Sequence, residues 1–224
     1  MAEAIGQVLP LGVVVALSPI PIVGVVLMLG TPRGHVNGPA FVAGWIAGLA
    51  VAGALALFVA GGAGASEGGA PATWVSWLKI LLGAVLLRVA FKQWRGRPRA
   101  GEEAALPGWM TGVDRFTVGR SAALAVALAA VNPKNLVLVL SAAAAIAQTG
   151  IAAGEQAAAL AVFVLIGTLG PGIPVILYLT MGDRSKPLLD ELRGWMAHNN
   201  ATIMAVICLV IAAKLIGDGI GGLA

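Results

Sequence analysis

The segment Asn132-Pro133-Lys134-Asn135 lies in the middle of an apolar run that extends from residue 121 to 147. A proline inside a helix removes one backbone hydrogen bond and clashes with the preceding turn. A lysine inside such a run is costly next to lipid and usually faces the interior of a helix bundle. This segment therefore predicts a helix that is broken inside a bundle.

A second segment, Ser18-Pro19-Ile20-Pro21, occupies the corresponding place in the apolar run from residue 4 to 29. Both segments place a polar residue directly before a proline. Paired breaks in the two halves of a membrane chain are typical of substrate sites in transporters, because unwound backbone is tolerated where it lines a cavity. The predicted substrate-binding residues are Ser18, Pro19, Pro21, Asn132, Pro133, Lys134 and Asn135.

The composition excludes a soluble globular protein. The 224 residues are 59% hydrophobic and 11% charged, and the mean hydropathy is +0.94. A soluble domain has about 25% charged residues, so this chain has too little polar surface to cover a globule. The expected fold class is an all-α, polytopic membrane protein, and the net charge of +4 is not a sign of nucleic-acid binding.

Six segments approach the roughly 20 apolar residues that a helix needs to cross a bilayer: 4–29, 38–62, 74–91, 121–147, 157–181 and 194–213. Basic residues concentrate in the loops after the first, third and fifth segments. By the positive-inside rule these loops are cytoplasmic, and both termini are extracytoplasmic in a multi-pass plasma-membrane protein. The basic loop residues include Arg33, Lys92, Arg95, Arg97, Arg99, Arg115, Arg120, Arg184, Lys186 and Arg193.

The two halves of the chain resemble each other beyond the proline segments. Phe41 in the second span is followed seven residues later by Gly48, and Phe163 in the fifth span is followed at the same distance by Gly170. Each half holds three spans, and an odd number inserts the halves with opposite orientation. We therefore predict two inverted three-helix repeats, residues 1–94 and 119–224, joined by a basic cytoplasmic loop, residues 95–118.

A third interruption is predicted in the fifth span, at Gly170-Pro171-Gly172-Ile173-Pro174. Its glycines and prolines weaken the helical hydrogen bonding. Such a segment can absorb a change of backbone angle. The predicted hinge residues are Gly170, Pro171, Gly172 and Pro174.

Lys134 has three interpretations. Its ammonium can hold an anionic head group or a carboxylate of a substrate. It can instead neutralise the carbonyl groups that a broken helix leaves free, or extend to the membrane surface if the span is short. The tryptophans mostly fall near predicted span ends, where indoles favour the interface: Trp45, Trp74, Trp77, Trp94, Trp109 and Trp195.

The predicted spans carry no catalytic set. They contain no Asp or Glu, no His pair at metal-ligand spacing and no Ser-His-Asp set. A single cysteine excludes an internal disulfide and a Cys-ligated metal site. We expect neither enzyme activity nor a bound metal or cofactor.

The proline segments give the chain a family resemblance. Ser18-Pro19-Ile20-Pro21 and Asn132-Pro133-Lys134, in six spans, resemble the LysE transporter superfamily. The opening of the first motif with Leu17, the loop 30–33 and the core at Asn132–Asn135 resemble the GAP family most, also called the sulfolipid-addressing (Sap-like) proteins.

The resemblance implies a transporter that translocates a lipid or glycolipid for the cell envelope through a site at the broken helices. Two alternatives stay open: an exporter of amino acids or other small solutes, as in other LysE members, and a non-transporting membrane factor that assists glycolipid synthesis or export. The expected partners are membrane lipids or a glycolipid and proteins of envelope-lipid synthesis or export. Glycine-rich helix faces permit a homodimer.

Overall fold

The computed structural model of the chain describes residues 1–62, 66–67, 70–71, 73–97 and 108–223. Within these residues the chain forms a bundle of eight α-helices, two short 3-10 helices (Gly108–Arg115 and Gly182–Ser185) and an antiparallel pair of two-residue strands (Ser66–Glu67 and Ala70–Pro71). Residues 98–107 of the predicted basic loop, Arg99 among them, lie outside the described residues. The helices are α1 (Ala2–Ala16), α2 (Pro19–Leu29), α3 (Gly34–Gly62), α4 (Thr73–Arg95), α5 (Val118–Ala130), α6 (Pro133–Gln148), α7 (Ala153–Met181) and α8 (Lys186–Gly221).

Both predicted breaks are present. The axes of α1 and α2 bend by 51°, and those of α5 and α6 bend by 63°. Pro19 and Pro133 each begin the helix after the break, where their missing N–H group costs nothing because the first helical donors have no intrahelical partner. Ser18 and Asn132 precede them in extended conformation, so each break is one helix end followed directly by a new helix start.

The helices are long and apolar enough for a membrane. Among the described residues, three helical runs could cross one, Gly34–Gly61, Thr73–Arg95 and Ala153–Gly221, and five if each bent pair counts as one span. Large apolar side chains cover the outside of the bundle: Phe58, for example, is 81% exposed. Such a surface would be unstable in water, so the fold is that of a membrane-embedded protein.

The predicted interruption of the fifth span is absent, because α7 is helical without a break from residue 153 to 181. Pro171, Gly172 and Pro174 lie buried within this helix. The hinge role of these residues stays a prediction.

Close helix packing depends on glycines that face the backbone of a neighbouring helix. α3 lies against α5 at Gly44, where a Cβ atom would overlap the carbonyl oxygen of Ala122. α7 lies against α1 at Gly170, where a Cβ atom would overlap the carbonyl oxygen of Ala16. These two contacts bring α3 against the bent pair α5–α6 and α7 against the bent pair α1–α2.

α4 and α8 pack along each other through a second pair of glycines. A Cβ atom at Gly83 would lie 3.0 Å from the carbonyl oxygen of Ala212, and one at Gly219 would lie 2.8 Å from that of Ser76. Only residues without a side chain allow two helices to approach this closely.

The 3-10 helix before α5 packs against α2. The indole of Trp109 lies on Gly24, where a Cβ atom would be 2.6 Å from the ring. Asn37 Nδ2 of α3 donates a hydrogen bond of 3.0 Å to the carbonyl oxygen of Phe116, just after this 3-10 helix. The chain that leads into the second half is thereby held against the first half.

Candidate functional site

Lys134 joins the two breaks. It is the second residue of α6 and only 3% exposed. Its Nζ donates to the carbonyl oxygen of Val14 on α1, at 3.0 Å, and to Ser18 Oγ. A side chain at the start of the second broken helix therefore binds the end of the first.

The contact with Val14 follows from the loss of a helical hydrogen bond. In an uninterrupted helix the Ser18 N–H would bond to the carbonyl of Val14, four residues earlier. Here it bonds to the carbonyl of Val15 at 3.3 Å, and Ser18 Oγ donates to the same oxygen at 2.6 Å. The Val14 carbonyl is left free inside an apolar bundle, and the Lys134 ammonium satisfies it.

At the second break, a side chain of α6, the helix that follows the break, binds the free carbonyl of α5. Asn135 is fully buried, and its Nδ2 donates a hydrogen bond of 3.0 Å to the carbonyl oxygen of Leu128 on α5. Leu128 precedes Asn132 by four residues, just as Val14 precedes Ser18. Each break thus frees an equivalent carbonyl, and adjacent residues of α6 bind both.

The remaining predicted binding residues shape the helix starts. Asn132 Oδ1 accepts a hydrogen bond of 3.1 Å from the Lys134 backbone N–H and caps α6, which a side-chain oxygen at this position commonly does. Pro19 and Pro133 fix the first helical residue, and Pro21 is buried in the first turn of α2. All seven predicted residues therefore lie at the two breaks, and Ser18 and Lys134 are in direct contact.

No described acidic side chain forms an ion pair with Lys134. The ion pairs of the described residues, such as Lys214 with Asp218, are at partly exposed positions away from the breaks. The thiol of Cys208 on α8 is buried and interacts electrostatically with the ammonium. An ammonium has three N–H donors, and the contacts with Val14 and Ser18 use two of them.

Trp45 is part of this region and is an exception to the expected position of the tryptophans near span ends. It is 0% exposed in the middle of the bundle, not at an interface. Its Nε1 donates a hydrogen bond of 3.1 Å to the carbonyl oxygen of Gly167 on α7. Gly167 lies four residues before Pro171, so its carbonyl is the one that Pro171 deprives of a helical partner. The indole replaces the donor that Pro171 lacks. Pro174 removes the donor for the Gly170 carbonyl in the same way, and α7 continues through both prolines.

An apolar groove of about 460 Å³ lies beside the second break. Its walls come from α3, α4 and the α5–α6 pair, and α6 contributes the turn that follows Lys134 through Leu136 and Leu140. Trp74, at the start of α4, also lines the groove. A groove of this size and chemistry accepts an apolar ligand such as an acyl chain.

Long apolar helices, two aligned breaks and a buried cation between them define an integral membrane protein whose bundle is organised around broken spans. The chain belongs to the family described as Sap, sulfolipid-1-addressing protein, whose family model matches residues 8–221. Comparison with curated proteins and with solved structures finds no match. The resemblance to the Sap-like family is therefore confirmed, and a role in the membrane-associated addressing of sulfolipid is consistent with it.

Proposed function

We propose that this protein is a carrier, not an enzyme, and that it translocates a lipid or glycolipid of the cell envelope at the two breaks. The observation that carries the proposal is the buried Lys134 ammonium, which binds both a free helix carbonyl and Ser18 at the opposite break. A cation without an acidic partner among the described residues is suited to a ligand with an anionic head group.

Six spans accommodate the helices. The longest apolar run, Ala153–Gly221, consists of α7 with 29 residues and α8 with 36. About 20 residues cross the apolar core, so each of these helices is long enough for its own span. Together with α3, α4 and the two bent pairs α1–α2 and α5–α6, these helices support the proposed count of six spans. An even count is consistent with both termini on the extracytoplasmic side of the plasma membrane.

The packing supports an inverted repeat. α1 packs on α7 as α5 packs on α3: Gly170 lies against the carbonyl oxygen of Ala16, and its counterpart Gly48 lies against Val126 and Ala129 of α5. Gly83 of α4 approaches Ala212 of α8, and Gly219 of α8 approaches Ser76 of α4. A two-fold axis that exchanges α4 with α8 would relate these two contacts to each other. These pairs relate residues 1–94 to residues 119–224.

The site retains unused hydrogen-bonding capacity. Besides the third N–H of Lys134, Asn135 Oδ1 is buried and has no partner among the described residues. An ammonium donor and a free amide acceptor on consecutive residues of α6 suit a sulfate or phosphate together with a sugar hydroxyl. The groove lined by Leu136 and Leu140 of the same helix supplies an apolar surface for an acyl chain.

The test is a flipping assay with the purified full chain in liposomes. The probe is a fluorescent sulfated glycolipid, and membrane-impermeant dithionite reports the fraction that reaches the outer leaflet; radiolabelled lysine is measured in parallel. We expect glycolipid movement that depends on the protein. Lys134→Gln, which removes the charge but retains a donor for Val14, is expected to slow it at least about tenfold, the loss that about 1.4 kcal/mol produces.

The matched control is Lys214→Gln, which removes an exposed cation of α8 that pairs with Asp218. Equal rates for the Lys134 and Lys214 variants would remove Lys134 from the site. Lysine transport without glycolipid movement would instead indicate a small-solute exporter. Movement of neither, with a synthase or exporter bound to the protein from its native membrane, would indicate an accessory membrane factor.

A further inference from the structure

We propose that the groove between α4 and α8, at the basic end of α4, is a binding site for an anionic phospholipid, separate from the site at the breaks. The groove has a volume of about 430 Å³. Phe91 and Trp94 of α4 form one wall, and Ala205, Val206 and Leu209 of α8 contribute to the other. Its lining is almost entirely apolar, which suits an acyl chain.

The rim of this groove is cationic. Arg95 lies over the ring of Phe91, with 5.1 Å from its Cζ to the ring centroid, and Arg97 lies over the ring of Trp94, at 3.8 Å. Both guanidinium groups are thus stacked on the aromatic side chains that line the groove. Lys92, one turn before, adds a third exposed cation.

These cations are available to a ligand. Within the described part of the chain, no acidic side chain forms an ion pair with Lys92, Arg95 or Arg97. Arg97 donates one hydrogen bond of 3.0 Å to the carbonyl oxygen of Trp94, which leaves most of its N–H groups free. A phosphate that bridges the guanidinium groups would sit directly above the groove that holds its acyl chains.

Charge complementarity selects the occupant. A neutral lipid could fill the apolar groove but would leave the cationic rim without a counter-ion. Cations at a membrane surface attract anionic lipids by about 1 kcal/mol each. The combination of a groove and two stacked guanidinium groups therefore favours an anionic phospholipid at a fixed position over loose attraction to the membrane surface.

The experiment is native mass spectrometry of the full chain in neutral detergent, titrated with phosphatidylglycerol or with phosphatidylcholine of the same acyl chains. We expect tighter binding of phosphatidylglycerol. The double variant Arg95→Gln/Arg97→Gln should weaken phosphatidylglycerol about 30-fold and phosphatidylcholine little, because two cations are lost. Arg184→Gln, an exposed arginine of the second 3-10 helix, is the control for charge alone.

A second pair of variants tests the groove. Leu209→Trp replaces a smaller side chain of the groove by an indole and should abolish tight phosphatidylglycerol binding. The control is Leu165→Trp, on an exposed face of α7 that does not line the groove, and it should leave this binding unchanged. Equal effects of the rim variant and Arg184→Gln, or unchanged binding in Leu209→Trp, would overturn the proposal. Binding is measured without translocation, so a Lys134→Gln protein that fails to move glycolipid should still bind phosphatidylglycerol here.

Discussion

We predict that the hydrogen bond from Trp45 Nε1 to the Gly167 carbonyl oxygen stabilises α7 where Pro171 removes a helical donor. Trp45→Phe retains an aromatic ring but removes the Nε1–H donor, and the Gly167 carbonyl then has no helical donor because residue 171 is proline. Trp45 is fully buried, so water is not a ready replacement. An unsatisfied buried carbonyl costs about 1–3 kcal/mol in soluble proteins, while hydrogen bonds between membrane helices are worth about 0.6 kcal/mol on average and about 1.7 at most.

We expect the hydrogen-bond part of the loss to be about 1–1.5 kcal/mol. This is near the upper end of the membrane range, because the acceptor has lost its helical partner. The smaller ring adds a packing loss, so the total for Trp45→Phe is larger. A double-mutant cycle separates the two parts. Pro171→Ala restores an N–H that can bond to the Gly167 carbonyl, so Trp45→Phe should cost about 1 kcal/mol less in that background.

The assay is equilibrium unfolding in mixed micelles, as the fraction of denaturing detergent is raised, for the parent, both single variants and the double variant. Near-ultraviolet circular dichroism of the remaining tryptophans reports the folded fraction. The size of the Trp45→Phe effect on the unfolding free energy is then compared with and without Pro171. A coupling free energy below about 0.3 kcal/mol would refute the explanation, since that is the range of independent sites.

Three further predictions concern a packing contact, the second break and a partly exposed ion pair. Gly170→Ala should destabilise the bundle by about 1–3 kcal/mol in the same unfolding assay, because the new Cβ atom meets a backbone carbonyl. The control is Gly154→Ala, where no atom lies within 4 Å of the new Cβ atom and the stability should not fall. Equal effects of the two variants would contradict the close approach of the helices at Gly170. Asn135→Ala should cost about 1–2 kcal/mol by leaving the Leu128 carbonyl unpaired, and a neutral result would show that this carbonyl finds another donor. Lys214→Gln should change the unfolding free energy by less than about 1 kcal/mol, since its ion pair is partly exposed; a larger loss, measured at low and high salt, would contradict this.

Much of the architecture can be predicted from the sequence because hydrocarbon imposes strict rules on the backbone. Apolar runs of sufficient length predict helices, and a polar residue followed by proline predicts a break. Both breaks, at Ser18 and at Asn132, follow from these rules. The likeness to the Sap-like family rests on the same residues, and the family match across 8–221 confirms it.

The partners across the bundle could not be predicted in this way. Lys134 and Ser18 are separated by 116 residues. The corresponding positions of the two breaks place them in one predicted site, but they do not indicate that the ammonium donates directly to Ser18 Oγ. The sequence leaves open whether Lys134 binds a substrate or a free helix carbonyl. The structure has it bound to a carbonyl, that of Val14. A substrate contact would have to use the remaining N–H or displace one of these bonds.

The continuity of α7 illustrates the same limit. Prolines at 171 and 174 predict an interruption by local rules, and local rules omit a donor supplied by another helix. The residue that matters is Gly167, four positions before the proline, because its carbonyl is the one that needs a donor from another helix. Trp45 is an exception to the expectation that the tryptophans mostly lie near span ends, and its role inside the bundle depends on a partner in another helix.

The contacts of Gly44 and Gly170 have a consequence for how the protein can be made. Each half offers its kinked first span to the other half, so neither half encloses its own proline segment. Two polypeptides cut within residues 98–107 should therefore remain poorly folded when produced singly and recover a native-like bundle when produced together.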